Sequence, residues 1–270
     1  MAPAITHFLV GASLLLLIVT PRALRYDLER EAALWLIPIG GVWGLAPDVH
    51  HVAPVFAAEL YALHNTPWVD LFALHYTLDR PAVRARYYES VFGSIVLFVL
   101  STSVFWWGTR PRVATGRWTR NRTLVSLVAA AGATAYATVA LGVLVSIQEA
   151  FPTVAALVGA DGVLAGGLLL VPLGAALGVL YAVGLEALEG GRDLRRAAGV
   201  GCTLGVASWL GGVALLVPLW LRVITDATLS VPFFHSGSLL ALVGYGAVFG
   251  LVYALLRGGF RPEAVPANRN

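Results

Sequence analysis

Seven apolar stretches account for most of this chain, and burying them requires a solvent other than water. They run over residues 6–21, 32–47, 90–107, 123–147, 162–188, 197–221 and 236–256. A helix crossing a bilayer needs roughly 17–25 such residues; the first two stretches are short and reach across by tilting less or by drawing in flanking residues. Inside lipid every backbone group must be satisfied internally, which leaves helices or closed barrels, and these lengths are helical. Only 12% of the residues are charged, against about 25% in a soluble domain, and the mean hydropathy is +0.78. The expected fold is all-α: a polytopic integral membrane helical bundle of about seven transmembrane helices. The first stretch lacks the basic start and small-residue cleavage site of a signal peptide and reads as a retained helix.

Arginine placement sets the expected orientation. The chain has no lysine, so its 18 basic residues are all arginine. Under strict alternation fourteen share one side: Arg22, Arg25, Arg30, Arg110, Arg112, Arg117, Arg120, Arg122, Arg192, Arg195, Arg196, Arg257, Arg261 and Arg269. Arg80, Arg84, Arg86 and Arg222 belong to the other. Cytoplasmic loops retain positive charge, so the N-terminus is expected outside and the C-terminus inside. The sequon at Asn121 then faces inward, unmodified. The pI near 9.2 reflects arginines beside anionic headgroups; no basic–aromatic alternation points to nucleic acid.

The chain divides into a His-rich three-helix module (1–109) with an outer cap (49–89), a cytoplasmic Arg-rich loop (110–122), a Gly/Ala-rich four-helix module (123–257) and a disordered tail (258–270). Small residues let helices approach closely in lipid, so 162–184 and 199–212 read as helix contact faces. In the cap, Pro54 opens a short helix over 54–63, and 68–78 forms a second with Val69, Phe72, Ala73 and Tyr76 on one face, an interfacial pattern. Cys202, the single cysteine, reads as a small packing residue.

Chemistry concentrates where the topology puts the outer surface, which receives all six histidines: His7, His50, His51, His64, His75 and His235. Asp48-Val49-His50-His51 after Pro47 offers the oxygen and nitrogen donors that zinc and related metals prefer. Taken alone it reads equally as a hydrated interfacial turn. Helices 1 and 2 form a hairpin whose outer ends can bring His7 to Asp48. His75 and Asp79 stand at i and i+4, on one helical face, with Asp79 or Asp70 as ligand or orienter; an ordinary His–Asp surface pair is the plainer account. His64 is a further candidate ligand and Glu59 a candidate general base. His7, Asp48, His50, His51, His64 and His75 are therefore the expected metal ligands, and Glu59 and Asp79 the expected catalytic groups. In the second half, Ser236 reads as a helix cap after His235, and Arg222 can pair with Asp226. Mid-helix positions carry almost no charge, which argues against an ion-coupled transporter. Ser90, Ser94, Ser101 and Ser103 on helix 3 show no nucleophile–base pattern, and no Gly-x-Ser-x-Gly or His-Glu-x-x-His motif is present.

Over about residues 5–80 these features resemble the membrane-bound metal-dependent hydrolase family described as LexA-binding and inner-membrane-associated. Its members open a transmembrane helix with Thr-His and end a second in Leu-Pro-Asp-x-Asp-His. Here Thr6-His7, with Gly11 four residues on, and Ala46-Pro47-Asp48-Val49-His50-His51 match. The resemblance implies that His7, Asp48 and His51 occupy ligand positions, with His50 in place of the second aspartate. The family's later His-Arg-Gly-x-Thr-His-Ser is only loosely echoed by Leu63-His64-Asn65-Thr66 and Leu74-His75-Tyr76-Thr77. The arginine-only, Ala/Gly/Val-rich composition also resembles multipass proteins of salt-loving archaea. A prokaryotic plasma membrane is the expected location.

The leading expectation is a membrane-embedded metal-dependent hydrolase with an outward-facing His/Asp site near the headgroups. A divalent zinc, manganese or iron would activate water against an ester or phosphoester. The alternative is a non-catalytic scaffold or sensor with a structural histidine cluster; a transporter is third. Membrane lipid is the expected partner, a homo-oligomer an option, nucleic acid none.

Overall fold

The computed structural model describes residues 3–26, 28–109, 122–188, 193–224 and 229–260, which form helices and turns with no strand among them. Seven helical spans are long and apolar enough to cross a membrane: Ala4–Tyr26, Arg30–His51, Tyr87–Gly108, Thr123–Ile147, Gly162–Ala187, Leu194–Val223 and Ser236–Gly259. Each coincides with one expected stretch, so the chain is a polytopic helical membrane protein. The arginine-rich loop over 110–121 with its sequon, Arg192, Asp226 and the tail over 261–270 lie outside the described residues.

The chain falls into two compact units. One comprises Met1–Ala23, Asp27–Arg110 and Gly142–Thr153; the other comprises Leu24–Tyr26, Pro111–Leu141 and Val154–Asn270. In the first unit, α1 (Ala4–Tyr26) packs on α2 (Ala33–Leu45) through glycine. A Cβ on Gly11 would fall on the Gly40 carbonyl oxygen and at 2.9 Å from the Gly44 nitrogen; one on Gly44 would fall on the His7 carbonyl oxygen. Dispersion at short range drives helix association in lipid, and only glycine lets these two backbones touch. At the far ends of the same helices Leu16, Ala23 and Ala33 bury against Phe105 of α6 (Tyr87–Gly108).

Two turns of tighter 3₁₀ helix, Ala46–His51, extend α2 past Leu45 and Pro47. The cap follows: α3 (Ala57–His64), a 3₁₀ turn Pro67–Leu71, α4 (His75–Leu78) and α5 (Pro81–Arg84). The first cap helix therefore starts after Pro54, not at it, because Phe56 sits in the left-handed region (φ 59°). The second expected cap helix, 68–78, is broken. Ala73 and Leu74 adopt φ 56° and 63°, turning the chain back so that both Asp70 and His75 point inward.

In the second unit α7 (Arg122–Ile147), which the short α8 (Phe151–Ala156) follows, meets α9 (Gly162–Ala187) where a Cβ on Gly174 or Gly178 would strike Thr138 or Thr134. Gly201 and Gly205 of α10 (Leu194–Ser208) lie against Gly246 and Leu242 of α12 (Ser236–Gly259). The expected contact faces are there, although Gly199, Gly211 and Gly212 meet nothing within 4 Å. Between α10 and α11 (Val217–Ile224) the sixth span widens into a π-helical segment, Trp209–Leu216. Pro218 cannot donate to the Ala214 carbonyl; the Phe233 N–H does so instead at 2.9 Å.

Gly11→Ala should force α1 and α2 apart, at a cost of about 1–3 kcal/mol. The same change at Gly93, which has open space around it, should be neutral or slightly stabilising. Thermal unfolding of the two purified variants in detergent measures the difference.

Candidate functional site

Four pieces of the first unit meet at the capped ends of α1 and α2. α1 brings His7, the 3₁₀ turn brings Asp48, His50 and His51, α3 ends at His64, and α4 presents His75 with Asp79 one turn on. The glycine contact fixes the first two, since it seats the His7 backbone against Gly44. His75 is fixed from the same glycine: its Nδ1 lies 2.9 Å from the Gly44 carbonyl oxygen. A carbonyl only accepts, so Nδ1 carries the proton and Nε2 presents a lone pair to the cluster. His50 is arranged likewise, with Nδ1 3.0 Å from the Pro47 carbonyl oxygen.

The five imidazoles form a continuous chain of rings. Centroid separations run 4.0 Å from His7 to His75, 5.0 Å to His64, 4.7 Å to His50 and 3.9 Å to His51. His7, His64 and His75 are buried and His51 is exposed, so of the adjacent pair His50 turns inward and His51 outward. Two carboxylates thread this chain. Asp48 Oδ1 lies 3.2 Å from His75 Nε2 and 3.6 Å from His64 Nδ1. Asp79 Oδ1 lies 3.4 Å from His7 Nε2, and its Oδ2 lies 3.5 Å from His64 Nε2 and 3.8 Å from His75 Nε2. The hydrated-turn account of Asp48 and the surface-pair account of His75–Asp79 both fail, because the groups face inward.

These contacts are close but off-line. Both ring nitrogens of His7, Asp48 Oδ1, His64 Nδ1 and His75 Nε2 are buried without an aligned hydrogen-bond partner. Donors about 2.0–2.2 Å from one zinc stand about 3.3–3.6 Å apart at tetrahedral angles, and the five His–Asp pairs here span 3.2–3.8 Å. Three overlapping sets have donor atoms within 4.8 Å of one another: His7, Asp48 and His75; His64, His75 and Asp79; Asp48, His50 and His51. The donor set, its spacing and its orphaned lone pairs fit a divalent metal.

Burial opposes charge on both cap histidines, with opposite outcomes. For His75 it is outweighed by Asp48, the Gly44 carbonyl and Asp79, and the pKa rises above 6.5. For His64 burial wins, helped by repulsion from His75, and the pKa falls.

Other expected groups lie elsewhere. Glu59 is exposed in the first turn of α3 and belongs to none of the three sets. Asp70 is buried but fully occupied: Thr77 donates from its N–H and hydroxyl, both at 2.7 Å, and Ser146 donates at 3.1 Å. It clamps the turn that aims His75. His235, not Ser236, caps α12, its Nδ1 accepting from the Ser238 N–H at 3.1 Å. Arg222 donates to the Leu229 carbonyl at 2.8 Å. Ser90, Ser94, Ser101 and Ser103 return their hydroxyls to carbonyls of their own helix. Tyr61, with its ring 5.3 Å from His50, and Gly44 were not singled out by the sequence; the Gly11/Gly44 spacing relative to His7 and Asp48 was the available signal. In the second unit the sequence also left unnoticed Glu186, which accepts from Ser126, Tyr253 and Arg257.

Comparison of the chain with protein families, with characterised proteins and with solved structures finds no match.

Asp70→Ala should lower stability by about 2–3 kcal/mol by stranding the Thr77 donors. Asp70→Asn, which keeps a carbonyl acceptor, should lose less. The shift in thermal midpoint of each variant tests the clamp.

Proposed function

We propose that the protein is a metal-dependent hydrolase of the membrane, acting on an ester or phosphoester. The observation that carries this reading is the convergence of buried, off-line His and Asp donors at metal-ligand spacing. His7, Asp48 and His75 would hold the ion, with His64, His50 and His51 beside it. A divalent ion there supplies the positive charge that lowers the pKa of a water and polarises the scissile group. Asp79 reaches His7 with one oxygen and His64 and His75 with the other. Asp79 would orient the His7 and His64 rings, take a proton from the attacking water and return it to the departing alcohol. The general-base role first considered for Glu59 thus passes to Asp79. The water oxygen forms the new bond to carbon or phosphorus, and the bond to the leaving alcohol oxygen breaks. The partial likeness to the membrane-bound hydrolase family in Thr6-His7 and Asp48–His51 supports the same chemistry. Arginine placement supports a cap facing outward from a prokaryotic plasma membrane.

A structural cluster in a non-catalytic scaffold or sensor is the second reading, favoured by the near-complete burial of His7 and His75. Turnover of an ester or phosphoester panel that disappears on chelation and returns with metal rejects it.

Purified protein should contain about one zinc, manganese or iron per chain, retained in Glu59→Gln and lost in His7→Ala and Asp48→Ala. A metal-free wild type after reloading overturns the assignment. Ligands must be deprotonated, so the raised His75 pKa makes protons compete early. Metal affinity should begin to fall above pH 6.5 as pH is lowered. Orientation is checked separately by Glu59→Cys in a Cys202→Ser background. An impermeant maleimide should label it in intact cells, and labelling only after lysis reverses the topology.

A further inference from the structure

Span two carries two opposite faces. Gly40, Gly41 and Gly44 pack on α1, while Trp35, Ile39 and Val42 are exposed on the other side. The spacing i, i+4, i+7 continues through Ala46 to Val49 at i+11 and i+14. Over Ala46–His51 the helix tightens to 3₁₀, in which side chains at i and i+3 eclipse. Ala46 and Val49 therefore fall in line, as do Asp48 and His51, and Val52 follows at the end of the segment. One apolar stripe runs from within the membrane span to Val52, which is 80% exposed, directly beside the file that carries Asp48 and His51.

His51 is the exposed ring of the histidine chain. Val49 and Val52, its neighbours along the chain, are exposed, as is Tyr61, whose ring lies 5.3 Å from His50 and stacks toward His64 at 6.4 Å. An acyl chain would meet a continuous surface already shared with the lipid.

We propose that the centre draws its substrate from the lipid phase. The substrate is an amphiphile whose acyl chain lies along Trp35, Ile39, Val42, Val49 and Val52 and whose ester or phosphoester sits at His51 and Asp48. This rests on the metal-dependent hydrolase reading and specifies its substrate class and route of entry.

Cobalt(II)-loaded protein in phosphatidylcholine nanodiscs is titrated with acetohydroxamate and octanohydroxamate, following the visible spectrum of the bound ion. Each methylene moved from water to an apolar face contributes about fourfold. Six more, half removed from water, should tighten octanohydroxamate binding by roughly 50- to 100-fold. In Val49→Asn/Val52→Asn that gain should vanish while cobalt and acetohydroxamate affinity persist. Leu164→Asn, on an exposed apolar position of α9, should keep the gain, which separates binding along the stripe from partition into lipid. Should the double variant misfold, Val52→Thr alone should reduce the gain several-fold. Equal affinity for the two probes, or a gain that survives at Val49 and Val52, overturns the lipid route while leaving the metal centre standing. Failure of the wild type to bind cobalt removes both.

Discussion

The structure around the candidate site depends on one backbone contact, that of Gly44 with α1. Lipid offers no hydrophobic incentive for two helices to pair, so their approach must be repaid by dispersion at close range. Gly11, Gly40 and Gly44 permit that approach. Its consequences are chemical as well as mechanical. The same Gly44 whose missing side chain admits the His7 backbone offers its carbonyl to His75 Nδ1. The contact thus sets the position of one histidine and the tautomer of another. Asp48, four residues beyond Gly44 on the 3₁₀ segment that follows it, is carried to the same point. A site assembled this way is held by helix packing rather than by its own polar interactions, and so can leave those interactions incomplete.

That incompleteness is what separates Asp48 and Asp70. Asp70 collects three donors, as a buried carboxylate in a structural role should. Asp48 is held among His7, His64 and His75 with Oδ1 lacking any aligned donor. Each buried unsatisfied group costs about 1–3 kcal/mol, and several stand together here. Folding alone gives no reason to concentrate that cost at one place. A bound cation does, because it converts orphaned lone pairs into ligands and offsets the penalty on binding.

The spans could be read from the sequence because a bilayer imposes one length and one polarity on every crossing segment, whatever the neighbours. His7, Asp48, His64, His75 and Asp79 could be found because charge is scarce in this chain. What stayed hidden was set by tertiary contacts. Ala73 and Leu74 carry no signal for positive φ, which ordinary residues adopt only where surrounding structure enforces it; here the Asp70 clamp and the burial of His75 do so. Without that reversal 68–78 reads as one amphipathic helix, and Asp70 looks as good a ligand as Asp79. Capping by His235 was hidden for a different reason: an imidazole is an uncommon cap, and Ser236 next to it is a standard one.

The second unit disposes of its polar groups in the opposite manner. The carbonyl freed by Pro218 is taken by Phe233. The Tyr245 hydroxyl donates to Gly174 and the Trp209 indole to Ser238, while Glu186 is neutralised by Arg257 at 3.0 Å. Among its described residues the unmet buried side-chain atoms are the hydroxyls of Thr138 and Tyr181, neutral groups whose missing partner costs less than that of a charge. A transport path through this unit would need ionisable groups open to a moving ion, and among its described residues Glu186, near the end of α9, is already paired with Arg257. Polar satisfaction in one unit and its concentrated absence in the other direct the search for chemistry to the capped ends of α1 and α2.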